Sequence, residues 1–261
     1  MRPGRRVSIA AACLLAGVLA GCATPPPPSH PEARAEFYQT NDPLEPTNRV
    51  LYKVNNGLDE AVLRPAAVAY KDAVPSPVRT GVHNVLGNLT TPVTLANNML
   101  EGKSRRAGNT FMRFVINTTL GGLGLVDVAS KLGYPPNSAD FGETMAIWGV
   151  PEGPYLFLPL LGPSDPRDAL GTGVDMTGDP FGWVGQGTAV TVLRWSRFGL
   201  TALDERSRVL GEISGIKRTA LDPYATFRSL YRQHRKAQIE KIRADHRHTI
   251  PAWFPAPTTT H

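Results

Sequence analysis

The residues able to do covalent chemistry fall outside the common catalytic patterns. The 261 residues contain no Gly-x-Ser-x-Gly elbow and no Walker A lysine motif. Gly122 and Gly124 lack the third glycine of a dinucleotide-binding loop, and they follow a helical pattern rather than a strand. Among six scattered histidines only His246 and His248 are close together, while His83 falls on an apolar stripe, which favours a core histidine. The sequence therefore predicts no catalytic residue, no cofactor and no metal site.

Cys22 is the residue whose context suits a covalent modification. Leu19-Ala20-Gly21-Cys22 ends a segment with a basic start and an apolar stretch, Val7 to Val18, too short to span a membrane. This order resembles the lipobox of bacterial lipoproteins, in which the acylated cysteine becomes the new N-terminus. An ordinary secretory signal with an incidental cysteine is the alternative. We predict a signal peptide over residues 1–21 and a lipid on Cys22, and Ala23 fits delivery to the outer membrane.

The charge balance gives little support for nucleic-acid binding. The formal net charge is +6, but Arg2, Arg5 and Arg6 lie in the predicted signal peptide. Removing these three leaves about +3, which is a weak bias for a chain of this length. Both cysteines, Cys13 and Cys22, lie near the N-terminus, which excludes disulfides and cysteine-ligated metals from the rest of the chain.

The two flanks differ in composition from the middle of the chain. Pro25 to Pro28 predict an extended polyproline tether over residues 22–39. Lys217 to Arg247 is rich in basic residues, with apolar residues at near-helical spacing. This pattern fits either a basic amphipathic helix that contacts lipid headgroups or an acidic partner, or a solvated helix face. We predict residues 236–261 to form a basic, flexible tail.

Between the flanks the sequence predicts short helices. A capping residue followed by proline recurs at Asp42-Pro43, Ser76-Pro77, Thr91-Pro92, Asp165-Pro166 and Asp222-Pro223. In the first helix, Val50, Leu51, Val54 and Leu58 are expected to pack inward, with Lys53, Asn55 and Asn56 at a polar boundary. Tyr155 to Leu158 is the best strand candidate. The fold class is therefore mainly α.

A glycine-rich segment follows the most apolar helical pattern. It contains Gly121, Gly122 and Gly124, with Asn117 and Asp127 outside it. The glycines permit either a movable hinge or close packing of backbones. In the second case Gly122→Ala should overpack the segment. Restricted motion and reduced stability would both result from this substitution if Gly122 has positive φ. Of the two interpretations, we expect the movable hinge.

Ordered short motifs resemble the MlaA (VacJ) lipoprotein family over about residues 40–235. They are Asp42-Pro43-Leu44-Glu45, Asn48-Arg49, Arg64 to Tyr70, Val74 to Arg79, Gly87-Asn88-Leu89, Arg113-Phe114, Asn117-Thr118, Gly121 to Gly124 with Asp127, Phe141 to Thr144, Trp148 to Val150, Gly153 to Leu156, Leu158-Pro159, Gly162 to Ser164, Arg167-Asp168 and Asp222 to Tyr224.

The resemblance implies a ring-like bundle of short helices with a central amphipathic channel and little or no β-structure, embedded in the inner leaflet of the outer membrane. Members pass phospholipids mislocalised in the outer leaflet to a soluble, MlaC-like periplasmic carrier, and they associate with trimeric porins. We expect phospholipids, the outer membrane, that carrier and a porin as partners, no nucleic acid, and a function in outer-membrane lipid asymmetry. The alternatives are a structural porin- or envelope-associated lipoprotein and, less favoured, a lipid hydrolase.

The resemblance also places two groups of residues beside the channel. The first group is the family motif Asp42, Pro43, Leu44, Glu45, Asn48 and Arg49, together with Asn55 and Asn56. The second is a hairpin that contains Asn117, Gly121, Gly122, Gly124 and Asp127.

Overall fold

The computed structural model describes residues 24–182 and 187–245. The predicted signal peptide, Cys22, His246 and His248 lie outside the described residues. The helices are α1 (Pro31–Thr40), α2 (Glu45–Leu58), α3 (Arg64–Ala73), α4 (Ser76–Leu100), α5 (Ser104–Thr119), α6 (Val128–Lys131), α7 (Phe141–Ile147), α8 (Pro166–Gly178), α9 (Thr188–Arg208), α10 (Leu210–Thr219) and α11 (Pro223–Ala244). A π-helical turn, Asp59–Leu63, joins α2 to α3, and a 3-10 turn, Pro180–Gly182, follows α8.

The β-structure of the described residues is one small antiparallel pair. Strand β1 (Leu156–Leu158) pairs with β2 (Gly162–Ser164), with Leu156 opposite Ser164 and Leu158 opposite Gly162. The predicted mainly α fold is confirmed, and so is the predicted strand position. Helix α4 packs chiefly against α5, α7 packs against α8, and α9 packs against α3 and α4.

The helix starts follow the predicted capping chemistry at two of the five sites. Asp165 accepts a hydrogen bond from the Asp168 N–H, and Asp222 accepts one from the Ala225 N–H. The prediction at Asp42 is wrong, because α2 begins at Glu45 without a side-chain cap and the Asp42 carboxylate is buried. Ser76 starts α4, but Pro75 occupies the capping position.

Pro92 does not start a helix, because it lies inside the 25-residue helix α4. Proline lacks the N–H that would bond to the carbonyl four residues earlier, so α4 continues past Pro92 with one backbone hydrogen bond missing. Tertiary packing against α5 and α9 therefore outweighs the local signal.

Both predicted flanks contain helix. Residues 31–39 of the expected tether belong to helix α1 (Pro31–Thr40), so the prediction of an extended chain is wrong for these residues. Helix α11 continues to Ala244, so residues 236–244 belong to a helix and the predicted tail boundary is also wrong. Proline at the first helical turn starts both helices, since it has no N–H to leave unsatisfied there.

Burial in this fold is inverted relative to an ordinary water-soluble domain. Among the described residues, buried polar and charged side chains outnumber buried hydrophobic ones, twenty to twelve. The apolar clusters are small: one contains Ile116, Ala129 and Tyr134, and another contains Tyr155, Phe157 and Tyr224. Large apolar side chains are instead exposed on many helices and loops. No helix in the described part of the chain is long and apolar enough to cross a membrane.

The first helix shows this inversion directly. Leu51 packs against the Tyr155 cluster, but Val50, Val54 and Leu58 are exposed, which overturns the prediction that they pack inward. The buried face of α2 carries Asn48 instead. Helical periodicity identifies an apolar stripe, but it does not say whether protein or a surrounding apolar phase covers that stripe.

Candidate functional site

The predicted motif at the start of α2 forms a buried hydrogen-bonded cluster. Asp42 Oδ1 accepts from Asn48 Nδ2 at 2.8 Å. Asp42 Oδ2 accepts from the Tyr224 hydroxyl at 2.5 Å and from Arg228 Nη1 at 2.7 Å. Burial, followed by the hydrogen bond to Asp42, raises the pKa of Tyr224 well above its usual value. The motif thus joins the turn before α2 to the start of α11.

Two asparagines of α2 bond to the backbone of β1. Asn48 Nδ2 donates to the Tyr155 carbonyl at 3.0 Å, and the Phe157 N–H donates to Asn48 Oδ1 at 2.9 Å. Asn55 Nδ2 donates to the Leu158 carbonyl at 2.9 Å, and the Leu160 N–H donates to Asn55 Oδ1 at 3.0 Å. Each amide therefore satisfies one donor and one acceptor of the extended segment.

The remaining motif residues have different surroundings. Arg49 makes a two-pronged contact with Asp222, with Nη2 2.6 Å and Nη1 3.2 Å from its carboxylate oxygens, and Nε lies 2.7 Å from Glu45 Oε1. The Arg49 hydrogen bond holds the pKa of Asp222 below its usual range. Pro43 and Leu44 are half-buried in the turn, and Asn56 Nδ2 donates to Glu60 Oε1 at 3.1 Å.

The glycine-rich segment is a compact loop tied together at its base. Asn117 Nδ2 donates to Asp127 Oδ1 at 3.1 Å, and the Ala129 N–H donates to Asn117 Oδ1 at 2.9 Å. Arg113 Nη2 donates to Asp127 Oδ2 at 3.0 Å. Burial alone would raise the pKa of Asp127. Hydrogen bonds from Ser130, Arg113 and Asn117 outweigh burial and lower this pKa to about 2. Asn117 and Asp127, which flank the glycines in the sequence, are thus in direct contact.

The glycines of this loop have different roles. Gly122 has φ +61°, and a Cβ built on it would meet nothing within 4 Å, so the close-packing alternative does not apply at Gly122. Gly124 has φ +95°, and its Cβ would lie 2.6 Å from the Asn88 Cβ. Leu123 between them also has positive φ, at +58°. A larger side chain at position 124 would therefore clash with Asn88. At position 122 it would only have to adopt a positive φ, which favours glycine.

Two asparagines of α4 hold this loop against the helix. Asn84 Nδ2 donates to the Leu125 carbonyl at 3.1 Å. Asn88 Nδ2 donates to Thr118 Oγ1 at 2.9 Å and approaches the Leu123 carbonyl at 3.5 Å. Sequence reasoning missed this pair as a functional element, although the spacing of four places both amides on one helix face. We call Asn84 and Asn88 the loop latch.

Three arginines of α11 bond to carboxylates within the fold. Arg228 contacts Asp42, Arg232 Nη2 lies 2.5 Å from Glu152 Oε1, and Arg235 contacts Asp140 and Asp168, each at 2.6 Å. Neither predicted role, a lipid-contacting face or a solvated face, describes these three arginines. They attach α11 to the turn before α2, to the residues on either side of α7 and to the first turn of α8.

Two buried glutamates lie beside this charge network. Burial raises the pKa of Glu143 to about 7, with the Asp140 charge adding to the effect. Burial likewise raises the pKa of Glu101 to about 7, against the opposing charge of Arg106. Thr144, the residue after Glu143, donates from Oγ1 to Asn97 Oδ1 at 3.0 Å, and the same Oγ1 lies 3.5 Å from Glu101 Oε1.

His83 lies in an ion-pair cluster rather than a core. Its Nδ1 is 2.8 Å from Asp204 Oδ2 and 4.0 Å from Glu205 Oε1, a grouping that could hold a metal ion. Arg208 Nε donates to the same Asp204 oxygen at 3.0 Å. The carboxylate is therefore already bonded twice, and the cluster joins α4 to α9.

Comparison with known families places these elements in context. The family model for the MlaA lipoprotein matches residues 40–238. The chain belongs to the MlaA lipoprotein family.

The relatives of this MlaA-family chain agree over most of its length. It is 36% identical over 237 residues to the intermembrane phospholipid transport system lipoprotein MlaA of Haemophilus influenzae, covering 89% of this chain and 90% of that protein. The protein of the same name from Escherichia coli is 33% identical over 232 residues and covers 87% of each chain. A structure solved as the structural basis for maintenance of bacterial outer membrane lipid asymmetry matches with a TM-score of 0.65 at 32% identity, covering 76% of this chain and 98% of the other.

The MlaA-family match includes both groups of candidate residues. It begins at the end of α1 and stops within α11, so the Asp42 cluster, the glycine-rich loop and the loop latch all fall inside it. The exposed apolar residues also lie mostly within it. They include Leu120, Leu123, Leu125, Leu160, Leu161, Leu193 and Trp195.

Proposed function

We propose that this chain is an outer-membrane lipoprotein that passes phospholipids mislocalised in the outer leaflet to a periplasmic carrier. It would thereby maintain the lipid asymmetry of the outer membrane. The relatives named above support the proposal, because two of them carry the name of an intermembrane phospholipid transport lipoprotein. The transfer moves an intact lipid, so the protein needs no nucleophile and makes no covalent bond to its cargo.

The single observation that carries the proposal is the inverted burial. Leu120 and Leu123 are 69% and 71% exposed at the tip of the glycine-rich loop, and Leu193 and Trp195 are each 68% exposed on α9. Exposed apolar surface of this extent is typical of contact with lipid or a partner. Polar side chains in the interior suit a path for a charged headgroup, which hydrocarbon excludes.

The proposal extends to anchoring and to partners. Cys22 would carry the lipid anchor, and the body would lie in the inner leaflet as a ring of short helices around a channel. An MlaC-like carrier would receive the lipid, and a trimeric porin would hold the protein. In this arrangement the Asp42–Asn56 motif and the Asn117–Asp127 loop border the channel, and the loop latch sets the position of the loop.

The test is complementation of a deletion strain. Wild-type protein should restore low outer-leaflet phospholipid and resistance to detergent. A variant with Leu120 and Leu123 changed to serine should be made at normal level and should fail to restore either, because the loop tip loses its apolar surface. Lys131→Ser, an exposed change just beyond the loop, is the matched control and should complement fully.

Three results would contradict the proposal. Full complementation by the double serine variant would remove the role of the apolar loop. Recovery of lysophospholipid from incubations with the purified protein would indicate a hydrolase instead. Unchanged outer-leaflet phospholipid in the deletion strain would indicate a structural lipoprotein.

A further inference from the structure

A cavity of about 440 Å³ lies between α7, the start of α8 and the second half of α11. Its volume is within the range of small-molecule sites in proteins. The apolar part of the lining, called the apolar wall below, consists of Val150, Pro151 and Ile239. The cavity is separate from the Asp42 cluster and from the glycine-rich loop, whose residues do not line it.

The charged lining of the cavity is predominantly basic. Arg167, Arg232, Lys236 and Arg243 line it, together with Glu152 and Glu240. The cavity therefore has two net positive charges. Arg232, Lys236 and Arg243 follow one another at spacings of four and seven residues, which places them on one face of α11.

The basic side chains of the lining differ in how closely a carboxylate approaches them. Arg232 is paired with Glu152, while Lys236 Nζ lies 3.9 Å from Glu240 Oε1, beyond hydrogen-bond distance. Arg243 Nη2 donates to the uncharged Ala146 carbonyl at 3.1 Å. Among the described residues, no carboxylate oxygen lies within 4.0 Å of the Arg243 guanidinium. Lys236 and Arg243 thus supply most of the positive charge that carboxylates leave unbalanced.

Arg167 is a second, independent feature of this cavity. Its side chain is 5% exposed, and its Nη2 makes no hydrogen bond, with Asp165 Oδ2 3.5 Å away. Its Nε lies 3.1 Å from Asp168 Oδ1. A buried guanidinium nitrogen without a hydrogen bond is unfavourable unless another acceptor completes the site.

We propose that this cavity binds a phosphate group through Lys236 and Arg243, with Arg167 as a further cation of the lining. Arginine and lysine are the side chains that most often bind phosphate, and arginine matches two phosphate oxygens at once. The apolar wall would accommodate carbon next to that phosphate, as in a phospholipid headgroup with its glycerol. A free phosphate ion offers the same oxygens without the carbon. The lipid assignment rests on the proposed function, whereas the phosphate assignment does not.

The test is calorimetric titration of the full-length protein in neutral detergent at low ionic strength. The ligands are inorganic phosphate, dihexanoyl phosphatidylglycerol below its micellar concentration, and dihexanoylglycerol, which has no phosphate. The Lys236→Gln/Arg243→Gln double variant should weaken binding of both phosphate compounds by about tenfold or more, equivalent to about 1.4 kcal/mol. Lys241→Gln removes an exposed charge from the same helix outside the cavity and should change the dissociation constant less than about twofold.

The ligand series distinguishes the sources of the phosphate group. Tighter binding of the short-chain lipid than of inorganic phosphate would assign the site to a lipid headgroup, and equal binding would assign it to free phosphate. The proposal is overturned if neither phosphate compound binds, if dihexanoylglycerol binds as well as the lipid, or if Lys241→Gln weakens binding as much as the double variant.

Failure of this proposal is distinguishable from failure of the proposed function. Phosphate binding that persists in a protein unable to complement the deletion strain contradicts lipid transport and leaves the site standing. Complementation by wild-type protein that binds no phosphate compound leaves transport standing and removes the site.

Discussion

Asn48 and Asn55 lie seven residues apart on α2, and both bond to the backbone that leads into and out of β1. Asn48 is also bonded to the buried Asp42 carboxylate, whereas Asn55 is half-buried. The two amides therefore fix the same strand from one helix face, at sites that differ in access to water.

Substitutions along this face should separate stability from transport. Asn48→Ala should lower the free energy of unfolding by about 2–4 kcal/mol, because Asp42, Tyr155 and Phe157 each lose a buried partner. Asn55→Ala should lower it by about 1–2 kcal/mol. Asn56→Ala removes only a contact with Glu60 and should change it by less than about 0.5 kcal/mol.

Denaturation in detergent followed by circular dichroism measures these values, and complementation measures lipid passage. Because the resemblance places Asn55 and Asn56 beside the channel, substitutions there should affect lipid passage more than stability. Asn56 is the better test of this prediction, since the Asn55 amide also bonds to the backbone around β1. An Asn56→Ala protein that unfolds easily, with normal transport per folded molecule, would contradict it.

The glycine-rich loop should respond differently to alanine at its two positive-φ glycines. Gly122→Ala strains only the backbone and should lower stability by about 1 kcal/mol. Gly124→Ala adds a clash with Asn88 and should lower it by a further 1–3 kcal/mol, roughly. Melting temperatures of the two variants, measured side by side in one detergent, give the comparison.

Transport by the same variants tests the predicted hinge. If the loop must move, Gly122→Ala should let outer-leaflet phospholipid accumulate at normal protein abundance, because alanine narrows the accessible conformations. Complete restoration of the lipid barrier by a Gly122→Ala/Gly124→Ala protein made at normal level would refute the hinge.

The buried Glu143 should make stability depend on pH. Its pKa is raised from 4.5 to about 7 in the folded protein, so between these values the folded state binds more protons than the unfolded state. Stability from this group is therefore fully present below about pH 4.5 and is lost as pH rises through 7. Replacing Glu143 by glutamine should remove that loss, which is up to about 3 kcal/mol.

Urea unfolding at pH 5, 6, 7 and 8 tests the titration. The difference in unfolding free energy between Glu143→Gln and wild-type protein should shift in favour of the variant as pH increases. Glu240→Gln, an exposed change on α11, should show a constant difference from wild-type protein. A constant difference for Glu143→Gln would exclude a raised pKa.

Cys22 should carry the membrane anchor. Mass spectrometry of protein purified from membranes should show a mature chain that starts at an acylated Cys22. Cys22→Ala should release the protein from the membrane fraction or block its processing. An unmodified Met1, or cleavage elsewhere without lipid, would contradict the lipobox interpretation.

The sequence predicted the helices better than it predicted what surrounds them. The caps at Asp165 and Asp222 and the strand at Leu156–Leu158 follow from local chemistry, so short patterns reveal them. Val50 and Val54 are exposed on the protein surface. A helical period of apolar residues does not indicate whether protein or a surrounding apolar phase covers them.

The candidate site was partly predictable for the same reason. Asn117 and Asp127 are close in the chain, so their contact could be anticipated from the motif. Asn84 and Asn88 meet the loop only after α4 and α5 pack, and a single sequence does not report that contact. The partners of the α11 arginines lie up to 192 residues away, which explains why the basic run by itself resembles a surface.

The contacts of Asp42 also determine when the domain can close during synthesis. Its partners Tyr224 and Arg228 lie 182 and 186 residues further along the chain. A nascent chain growing from the N-terminus therefore has no stable clamp around β1 until α11 has emerged, and loops of this length close slowly. A chain that stops before Asp222 would leave the Asp42 carboxylate without two of its three donors, so premature termination should give an open, protease-sensitive product rather than a smaller folded one.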